Sequence, residues 1–272
     1  MTSNKVVLIG PERSGKSSLI ERFKSNRFEE GGMTHYTTIG ANFCSSLVSV
    51  STDALPMKAS PKRETLLEPS LLEMMKAKRS SATVAATPNL VRDLGVDDSE
   101  LLPKLGGSGG SGGSGGHETE VKIGIWDLSG HTRYSSLIPY YLKDTQVLMI
   151  CFQGVPSLSE VRNYIIEAQI FECPNVILVL TQIDKVLRGD GPYVDIDRNV
   201  DSSLTMLKKY CEQNAYHLEL TSAKSGYNVK RLFTLAAKMC FEHTGDPNLS
   251  PKMITGGKAS NLARESTCCF VV

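Results

Sequence analysis

The segment Gly10–Ser17, which reads GPERSGKS, constrains the fold of this chain more than any other part of the sequence. It has the spacing G-x-x-x-x-G-K-S and stands between an apolar run, Lys5–Ile9, and a stretch that predicts a helix, Ser17–Phe28. Successive backbone N–H groups in such a loop turn inward and bind phosphate oxygens, and the start of the helix adds its positive dipole end. The pattern therefore predicts a phosphate-binding loop between a buried strand and a helix.

Strands and helices alternate through most of the remaining chain. Further strands are predicted at Phe43–Val50, Val121–Trp126, Gln146–Phe152, Asn175–Leu180 and Tyr216–Leu220. Further helices are predicted at Leu158–Glu172, Ser202–Asn214 and Asn228–His243. Such alternation predicts an α/β fold with a mostly parallel, six-stranded sheet and helices on both of its faces.

One long insertion, residues 51–117, interrupts this pattern and replaces the turn of a hairpin between the second and third strands. It ends in a Gly/Ser tract, residues 106–116, which behaves as a flexible coil and is either a natural low-complexity run or an engineered linker. Leucine and methionine side chains between Leu66 and Met75 fall near helical spacing. Two interpretations stay open for them, a short amphipathic helix or a fluctuating helix in a disordered loop.

The predicted organisation is one domain, residues 1–245, interrupted by the disordered insertion and followed by a flexible tail, residues 246–272. The 30 basic and 29 acidic residues nearly balance, which argues against a nucleic-acid-binding protein. The seven cysteines form no C-x-x-C pair and no zinc-type cluster, so we expect reduced thiols in the cytosol. No apolar run approaches the roughly 20 residues that span a bilayer, and the apolar stretch near the N-terminus is too short for a signal peptide.

Residues that would hold a phosphate-bound magnesium ion occur in two motifs. In the first, Lys16 would reach the β- and γ-phosphates, and the Ser17 hydroxyl would coordinate Mg²⁺. In the second, D-x-x-G at the end of the third strand, Asp127 would hold Mg²⁺ through water. Its glycine, Gly130, would bring a backbone N–H close to the γ-phosphate.

Two later loops are candidates for reading a guanine base. Asp184, in the sequence TQID after the fifth strand, would accept hydrogen bonds from guanine N1–H and the exocyclic amine. Adenine lacks this pair of donors, so a carboxylate here would give base specificity. Ala223, in the sequence TSAK after the next strand, would donate its backbone N–H to guanine O6.

In this order the four motifs resemble the nucleotide-binding motifs of small GTPases of the Ras superfamily. Residues 36–43 resemble the Rab switch I sequence that contains T-I-G-x-x-F, and residues 127–134 resemble D-T-A-G-Q-E-R-F of switch II. Residues 136–144 look most like Golgi-type Rabs. The resemblance covers the chain except for the insertion and the tail, and it implies the P-loop small GTPase fold with GTP or GDP and Mg²⁺ as ligands.

The resemblance also implies roles for further residues. Thr38 would be the second protein ligand of Mg²⁺, ordered when a γ-phosphate is present. Three aromatic residues, Phe43, Trp126 and Tyr141, match the triad that Rabs present to effectors, although half-buried sheet aromatics would look the same. The complete predicted nucleotide contacts are Gly10, Glu12, Arg13, Ser14, Gly15, Lys16, Ser17, Ser18, Phe28, Thr38, Asp127, Gly130, Gln182, Asp184, Ser222, Ala223 and Lys224. The predicted magnesium ligands among them are Ser17, Thr38 and Asp127.

Some of these positions differ from the family pattern. His131 replaces the glutamine that orients the attacking water, and together with Gly130 it forms the predicted catalytic pair. Glu12 and Arg13 stand where Rabs have small residues. Thr181 replaces an asparagine that ties its loop to the phosphate loop, and Gln182 replaces a lysine that covers the base. The Mg²⁺ and base contacts are expected to remain, whereas these changes, including loss of the tie made by the asparagine, predict weak hydrolysis and reduced nucleotide affinity.

The C-terminus carries adjacent cysteines, Cys268 and Cys269, a pattern that in Rabs is prenylated and anchors the protein in membranes. The expected function is a GTP/GDP switch in vesicle trafficking on the cytoplasmic face of Golgi or endosomal membranes, with a cytosolic pool. The expected partners are Rab-type effectors, exchange factors and escort proteins, and no nucleic acid. The alternative is a hydrolysis-deficient guanine-nucleotide-binding scaffold that recruits partners to membranes.

Overall fold

The computed structural model of the chain describes residues 4–28, 38–51, 66, 72–76, 118–185, 198–245 and 269–271. Its strands are β1 Lys5–Ile9, β2 Ala41–Ser51, β3 Glu118–Leu128, β4 Val147–Gln153, β5 Asn175–Thr181, β6 His217–Leu220 and β7 Cys269–Val271. Its α-helices are α1 Lys16–Ser25, α2 Ile138–Leu142, α3 Leu158–Ile170, α4 Arg198–Gln213 and α5 Val229–Thr244. Two 3₁₀ helices, Thr132–Leu137 and Ile183–Lys185, and a helical turn at 72–76 complete the described elements.

The strands form one sheet in the order β6-β5-β4-β1-β3-β2-β7. Strands β1, β3, β4, β5 and β6 run parallel, whereas β2 pairs antiparallel with β3. The prediction of a P-loop small GTPase fold with a mostly parallel sheet is confirmed. The β2–β3 ladder extends from Ala41 opposite Leu128 to Ser51 opposite Glu118, so the insertion joins the two ends of a regular hairpin.

The seventh strand, β7, adds to the six that the sequence predicts. It pairs antiparallel with the start of β2, where Ala41, Asn42 and Phe43 lie opposite Val271, Phe270 and Cys269. In the six-stranded sheet β2 would be an edge strand, and its free backbone groups are what a further strand can pair with. Because three residues of this kind carry little periodicity, the sequence pattern does not reveal them.

The centre of the sheet is buried on both faces, which is why β1 is apolar at every position after Lys5. Val6 and Leu8 point into a core cluster that contains side chains of α1 and α5. Val7 and Ile9 point into a second cluster that contains side chains of α3 and α4. Parallel strands covered on both sides have this near-continuous apolar character. None of the described helices is long and apolar enough to cross a membrane.

Two helices end earlier than the sequence pattern predicts. Helix α1 ends at Ser25 because Asn26 adopts the left-handed conformation, with φ 54°, and its N–H caps the Arg22 carbonyl. Phe28 is therefore outside the helix. Helix α3 ends at Ile170, and Glu172 with φ 51° turns the chain towards β5. We call the two ends of the parallel sheet the carboxyl end, where the phosphate-binding loop follows β1, and the amino end, where the β2–β3 hairpin closes.

Candidate nucleotide-binding site

The phosphate-binding loop folds around the side chain of Lys16. Lys16 Nζ donates to the carbonyl oxygens of Gly10 at 3.1 Å and Pro11 at 2.8 Å, and to Ser14 Oγ at 3.1 Å. Burial lowers the pKa of Lys16, while Asp127 and Glu12 favour its charged form. These three bonds orient the ammonium group within the loop, which would reduce the cost of ordering it on a phosphate.

Two glycines in this loop stand where no side chain fits. Gly10 has φ 143°, and a Cβ there would collide with the carbonyl oxygen of Cys151 in β4. Gly15 has φ 83° at the N-cap of α1, and a Cβ would lie 3.3 Å from Thr181 Oγ1. The loop therefore packs directly on the neighbouring strands, with the first N–H groups of α1 at the phosphate position. Ser18 lies half-buried in the first turn of this helix.

The three predicted magnesium ligands converge on one point. Ser17 Oγ donates to Asp127 Oδ2 at 2.5 Å, and Thr38 Oγ1 lies 3.3 Å from the same oxygen. The two hydroxyl oxygens are 3.0 Å apart. These residues come from α1, the segment before β2 and the end of β3, so the sheet topology brings them together.

The carboxylate of Asp127 is unsatisfied in a way that fits a cation. Asp127 is 3% exposed, and its Oδ1 atom has no hydrogen-bond partner among the described residues. Burial raises the pKa of Asp127, and the hydrogen bonds from Ser17 and Thr38 offset part of that effect. A hard cation at this point would offset the desolvation of the carboxylate, and a hydroxyl–carboxylate set is typical of Mg²⁺ sites.

Gly130 lies directly on the phosphate-binding loop. A Cβ at this position would come within 2.5 Å of the backbone nitrogen of Glu12 and would also collide with Pro11. The segment after β3 can therefore pack this closely on the loop Gly10–Ser17 only with glycine here. This close contact agrees with the predicted role of the Gly130 N–H at the γ-phosphate.

The His131 side chain is engaged as a helix cap. It is the N-cap of the 3₁₀ helix Thr132–Leu137, and its Nδ1 accepts the Arg133 N–H at 3.1 Å. An acceptor at Nδ1 places the hydrogen of a neutral imidazole on Nε2. The ring also lies edge-on to Tyr134, with 6.3 Å between centroids. The capping role was not evident from the sequence because histidine is not a typical N-cap residue.

Glu12 and Arg13 are both exposed on the phosphate-binding loop. Arg13 has φ 60°, a conformation that glycine adopts more easily. Glu12 directly follows Pro11, whose carbonyl oxygen accepts from Lys16. The loop therefore accommodates both charged residues without disturbing the lysine.

The two base-reading loops contact each other. Ser222 Oγ donates to Asp184 Oδ1 at 2.5 Å, which orients the carboxylate, and Ser222 Oγ in turn accepts the Ser225 N–H at 3.2 Å. Ala223 is buried, whereas Lys224 is exposed. The TQID and TSAK loops thus form one unit beside the phosphate-binding loop.

Thr181 and Gln182 correct one expectation from the sequence. Thr181 Oγ1 donates to the Ser14 carbonyl oxygen at 2.6 Å and lies 3.0 Å from the Phe152 carbonyl oxygen. Gln182 Nε2 donates to the Arg13 carbonyl oxygen at 3.1 Å. The tie between the two loops, which the sequence suggests is lost with the asparagine, is therefore made by these two side chains.

Four aromatic residues occupy the positions that the sequence predicts for base and effector contacts. Phe28 is half-buried and packs against the α1–α5 core cluster. Phe43 and Trp126 have ring centroids 4.7 Å apart, and Trp126 and Tyr141 have centroids 5.1 Å apart. The three half-buried rings form a continuous row across β2, β3 and α2. Of the two predicted lipidation residues, Cys268 lies outside the described residues, and Cys269 begins β7.

Two family models match this chain on either side of the insertion. The Ras family model matches residues 114–242, and the model of Roc, the Ras of Complex domain of DAPkinase, matches residues 5–59. The Ras-related protein Rab-5A of Dictyostelium discoideum is 26% identical over 168 residues, which cover 61% of this chain and 79% of that protein. The chain is thus similar to small GTPases of the Ras superfamily, and its fold agrees with this similarity.

Proposed function

We propose that this protein is a guanine-nucleotide switch that binds GTP or GDP with Mg²⁺. The observation that carries the proposal is the convergence of Ser17, Thr38 and Asp127 beside the Lys16 loop. Thr38 belongs to the segment that switches in small GTPases, and its hydroxyl reaches the carboxylate of β3. Release of a γ-phosphate would remove an interaction that holds this segment in place. The segment could then exist in two states, with Thr38 in contact with the carboxylate or released from it.

Specificity for guanine rests on Asp184, which Ser222 holds in place. An amide at this position presents one donor and one acceptor instead of two acceptors. Asp184→Asn should therefore lose affinity for GDP and gain affinity for xanthosine diphosphate, whose ring carries a carbonyl where guanine has an amine. The matched control is Asp144→Asn, because Asp144 is exposed, has φ 58° and tolerates asparagine.

Displacement of a fluorescent nucleotide by GDP, xanthosine diphosphate and ADP measures this change directly. We expect Asp144→Asn to behave as the unmodified chain in all three titrations. Equal displacement by ADP and GDP in the unmodified protein would refute guanine specificity.

A Rab-like role is the finer part of the proposal. The row formed by Phe43, Trp126 and Tyr141 lies next to the switch segments and offers an aromatic surface for effectors. Prenylation of Cys268 and Cys269 would anchor the protein on the cytoplasmic face of Golgi or endosomal membranes, with escort proteins and exchange factors maintaining a cytosolic pool. Replacement of both cysteines by serine should abolish the membrane-bound fraction in cells.

Slow hydrolysis is expected because His131 Nδ1 is occupied by the Arg133 N–H. A side chain with one free ring nitrogen cannot bridge water and γ-phosphate as a glutamine amide does. Glu12 adds negative charge near the position where the transition state spreads charge over phosphate oxygens. The same contacts favour the second candidate function, a nucleotide-binding scaffold with little hydrolysis.

Single-turnover hydrolysis of bound GTP separates the two functions. His131→Gln combined with Glu12→Gly should accelerate hydrolysis, and His131→Gln alone should do so less. Slow turnover that the double change accelerates identifies a switch with a weakened site. No turnover in either protein identifies a scaffold.

A further inference from the structure

Part of the insertion contacts a helix that follows it by about a hundred positions. The Leu66 N–H donates to Gln169 Oε1 at 3.2 Å, and the Leu66 side chain packs against the core cluster of α3 and α4. Lys76 Nζ forms an ion pair with Glu172 Oε1 at 2.5 Å. A hydrogen bond and an apolar contact at one end and an ion pair at the other therefore hold this part of the insertion to the end of α3.

The helical turn at 72–76 has one face towards the domain. Leu72, Met75 and Lys76 are half-buried, and they follow the i, i+3, i+4 spacing of one helix face. Glu73 and Met74 on the other side are exposed. This division of exposure is what an amphipathic turn shows when it is seated on a surface.

A groove lies next to the place of contact. It has a volume of about 150 Å³ and is lined by the end of α3, the start of β5 and Tyr216. Gln169 and Glu172, which bind Leu66 and Lys76, are two of its lining residues. The polar groups that would orient a peptide at this groove are thus the groups that the insertion uses.

We propose that Leu66 and residues 72–76 are a docking segment that holds the insertion against the end of α3, at the edge of this groove. The segment and its binding surface belong to the same chain. The binding surface consists of Gln169, Glu172 and the adjoining part of the α3–α4 core cluster, and its occupant is the insertion itself.

Docking here keeps the insertion at the amino end of the sheet. Helix α3 ends just before β5 begins at Asn175, so the groove lies where the parallel strands start. The hairpin to which the insertion is connected also closes at that end, at Ser51 and Glu118. The magnesium-type cluster of Ser17 and Asp127 lies at the carboxyl end, so the docked segment leaves the nucleotide site accessible.

A charge-exchange experiment in the full-length protein tests the docking. The variants are Lys76→Glu, Glu172→Lys and the double exchange, with amide hydrogen exchange of Leu66 and residues 72–76 as the measurement. We expect each single change to speed exchange at these amides at least about threefold, because it places like charges together. The double exchange should restore part of the protection that each single change removes, because it re-forms the pair between positions 76 and 172 but loses the contact of Lys76 with Glu73 at 3.6 Å. Glu21→Lys on α1 is a matched control that should change nothing.

Leu66→Ala provides a second, independent arm, since it removes the apolar contact and leaves both charges in place. It should also speed exchange at residues 72–76. Unchanged exchange in both single charge variants and in Leu66→Ala would overturn the proposal, as would failure of the double exchange to restore protection. Nucleotide binding, measured in the same variants, should stay at the level of the unmodified protein, so this result and the guanine-specificity result can fail separately.

Discussion

A lysine lies at each end of the sheet, buried at the carboxyl end and half-buried at the amino end. At the carboxyl end, Lys16 donates to three oxygens from Gly10, Pro11 and Ser14, all within six residues of it. At the amino end, Lys5 donates to the Lys143 carbonyl oxygen at 2.8 Å, a partner 138 positions away. The contacts of Lys16 are thus made within contiguous sequence, whereas the contact of Lys5 is assembled by the tertiary fold.

This difference shows which structural features can be predicted from a short sequence motif. Because the partners of Lys16 are local, a phosphate-binding role can be predicted from eight consecutive residues. Contacts at the amino end, including those of the insertion with Gln169 and Glu172, depend on which elements the sheet brings together. They follow from topology and leave no short pattern in the sequence.

The largest effect should come from breaking the close contact at the carboxyl end with Gly130→Ala. The added Cβ would collide with the backbone of Pro11 and Glu12, which cannot move as a flexible side chain does. We expect a loss of about 3 kcal/mol in the free energy of unfolding, together with faster release of bound nucleotide. Urea unfolding and nucleotide dissociation measure the two effects.

Gly245→Ala is the matched control for this change. Gly245 has φ 68°, and nothing lies within 4 Å of the position of its Cβ, so the backbone is strained without a collision. Its cost should stay near 1 kcal/mol. Equal costs at the two glycines would show that Gly130 does not pack on the phosphate-binding loop.

At the amino end, Lys5 should make the free energy of unfolding depend on pH. Burial lowers the pKa of Lys5 to about 8 from 10.5, although Asp144 and Cys173 favour the charged form. Between these two values the unfolded chain binds a proton that the folded chain has released, so the free energy of unfolding should rise with pH. Because Lys5 is only half-buried as a residue, we expect a rise of about 1–2 kcal/mol, less than the full shift implies.

The measurement is the difference in unfolding free energy between the unmodified protein and Lys5→Met from pH 7.5 to pH 10.5. Lys5→Met keeps the aliphatic contacts and removes the titration. The unfolding free energy of the unmodified protein should rise with pH relative to that of Lys5→Met, because deprotonation of Lys5 removes the cost of burying its charge. A constant difference across this range would show that Lys5 has an ordinary pKa.

Two buried threonines make similar hydrogen bonds at opposite ends of the sheet, so the two ends can be compared directly. Thr181 Oγ1 donates to the Ser14 carbonyl oxygen at 2.6 Å, and Thr145 Oγ1 donates to the Tyr141 carbonyl oxygen at 3.1 Å. Replacing either by valine should cost about 1 kcal/mol of unfolding free energy. Only Thr181→Val should speed nucleotide release, because only its partner belongs to the phosphate-binding loop. Equal release rates in the two variants would contradict a tethering role for Thr181.

Most of the fold could be predicted from the sequence, since β1, β4 and β5 are nearly continuous apolar runs at the centre of the sheet and helical patterns alternate with the strands. The site was predictable where residue type and chemistry coincide, as in Lys16, Ser17, Asp127 and Asp184. The structure brings the three proposed magnesium ligands within hydrogen-bond distance. Their roles towards nucleotide and metal stay predictions.

The remaining features of the site depend on three-dimensional contacts that no sequence motif contains. The sequence suggests that the tie to the phosphate-binding loop is lost at Thr181 because the family has asparagine there. The Thr181 hydroxyl nevertheless donates to the same loop. His131 looked like a shorter glutamine, but its ring caps the following 3₁₀ helix. In both cases the backbone, and not the residue type, decides which partner lies within reach.

The smallest effect concerns β7, the one strand that comes from the tail. Its three residues pair with Ala41–Phe43, at the start of β2 and near the carboxyl end, so a distant part of the chain contributes there as well. A chain that ends at Arg264 should lose these bonds and return β2 to the edge of the sheet. Because only three backbone positions are involved, the free energy of unfolding should fall by less than about 1 kcal/mol. Amide exchange should nevertheless rise at Ala41–Phe43 and stay unchanged in β1, which is covered by β3 and β4 on its two sides. Unlipidated protein is the sample for this comparison, since a prenyl group would add its own preference for where the tail lies. Equal exchange at Ala41–Phe43 in the two chains would show that β7 does not pair with β2 in solution, and the sheet would then have the six strands that the sequence predicts.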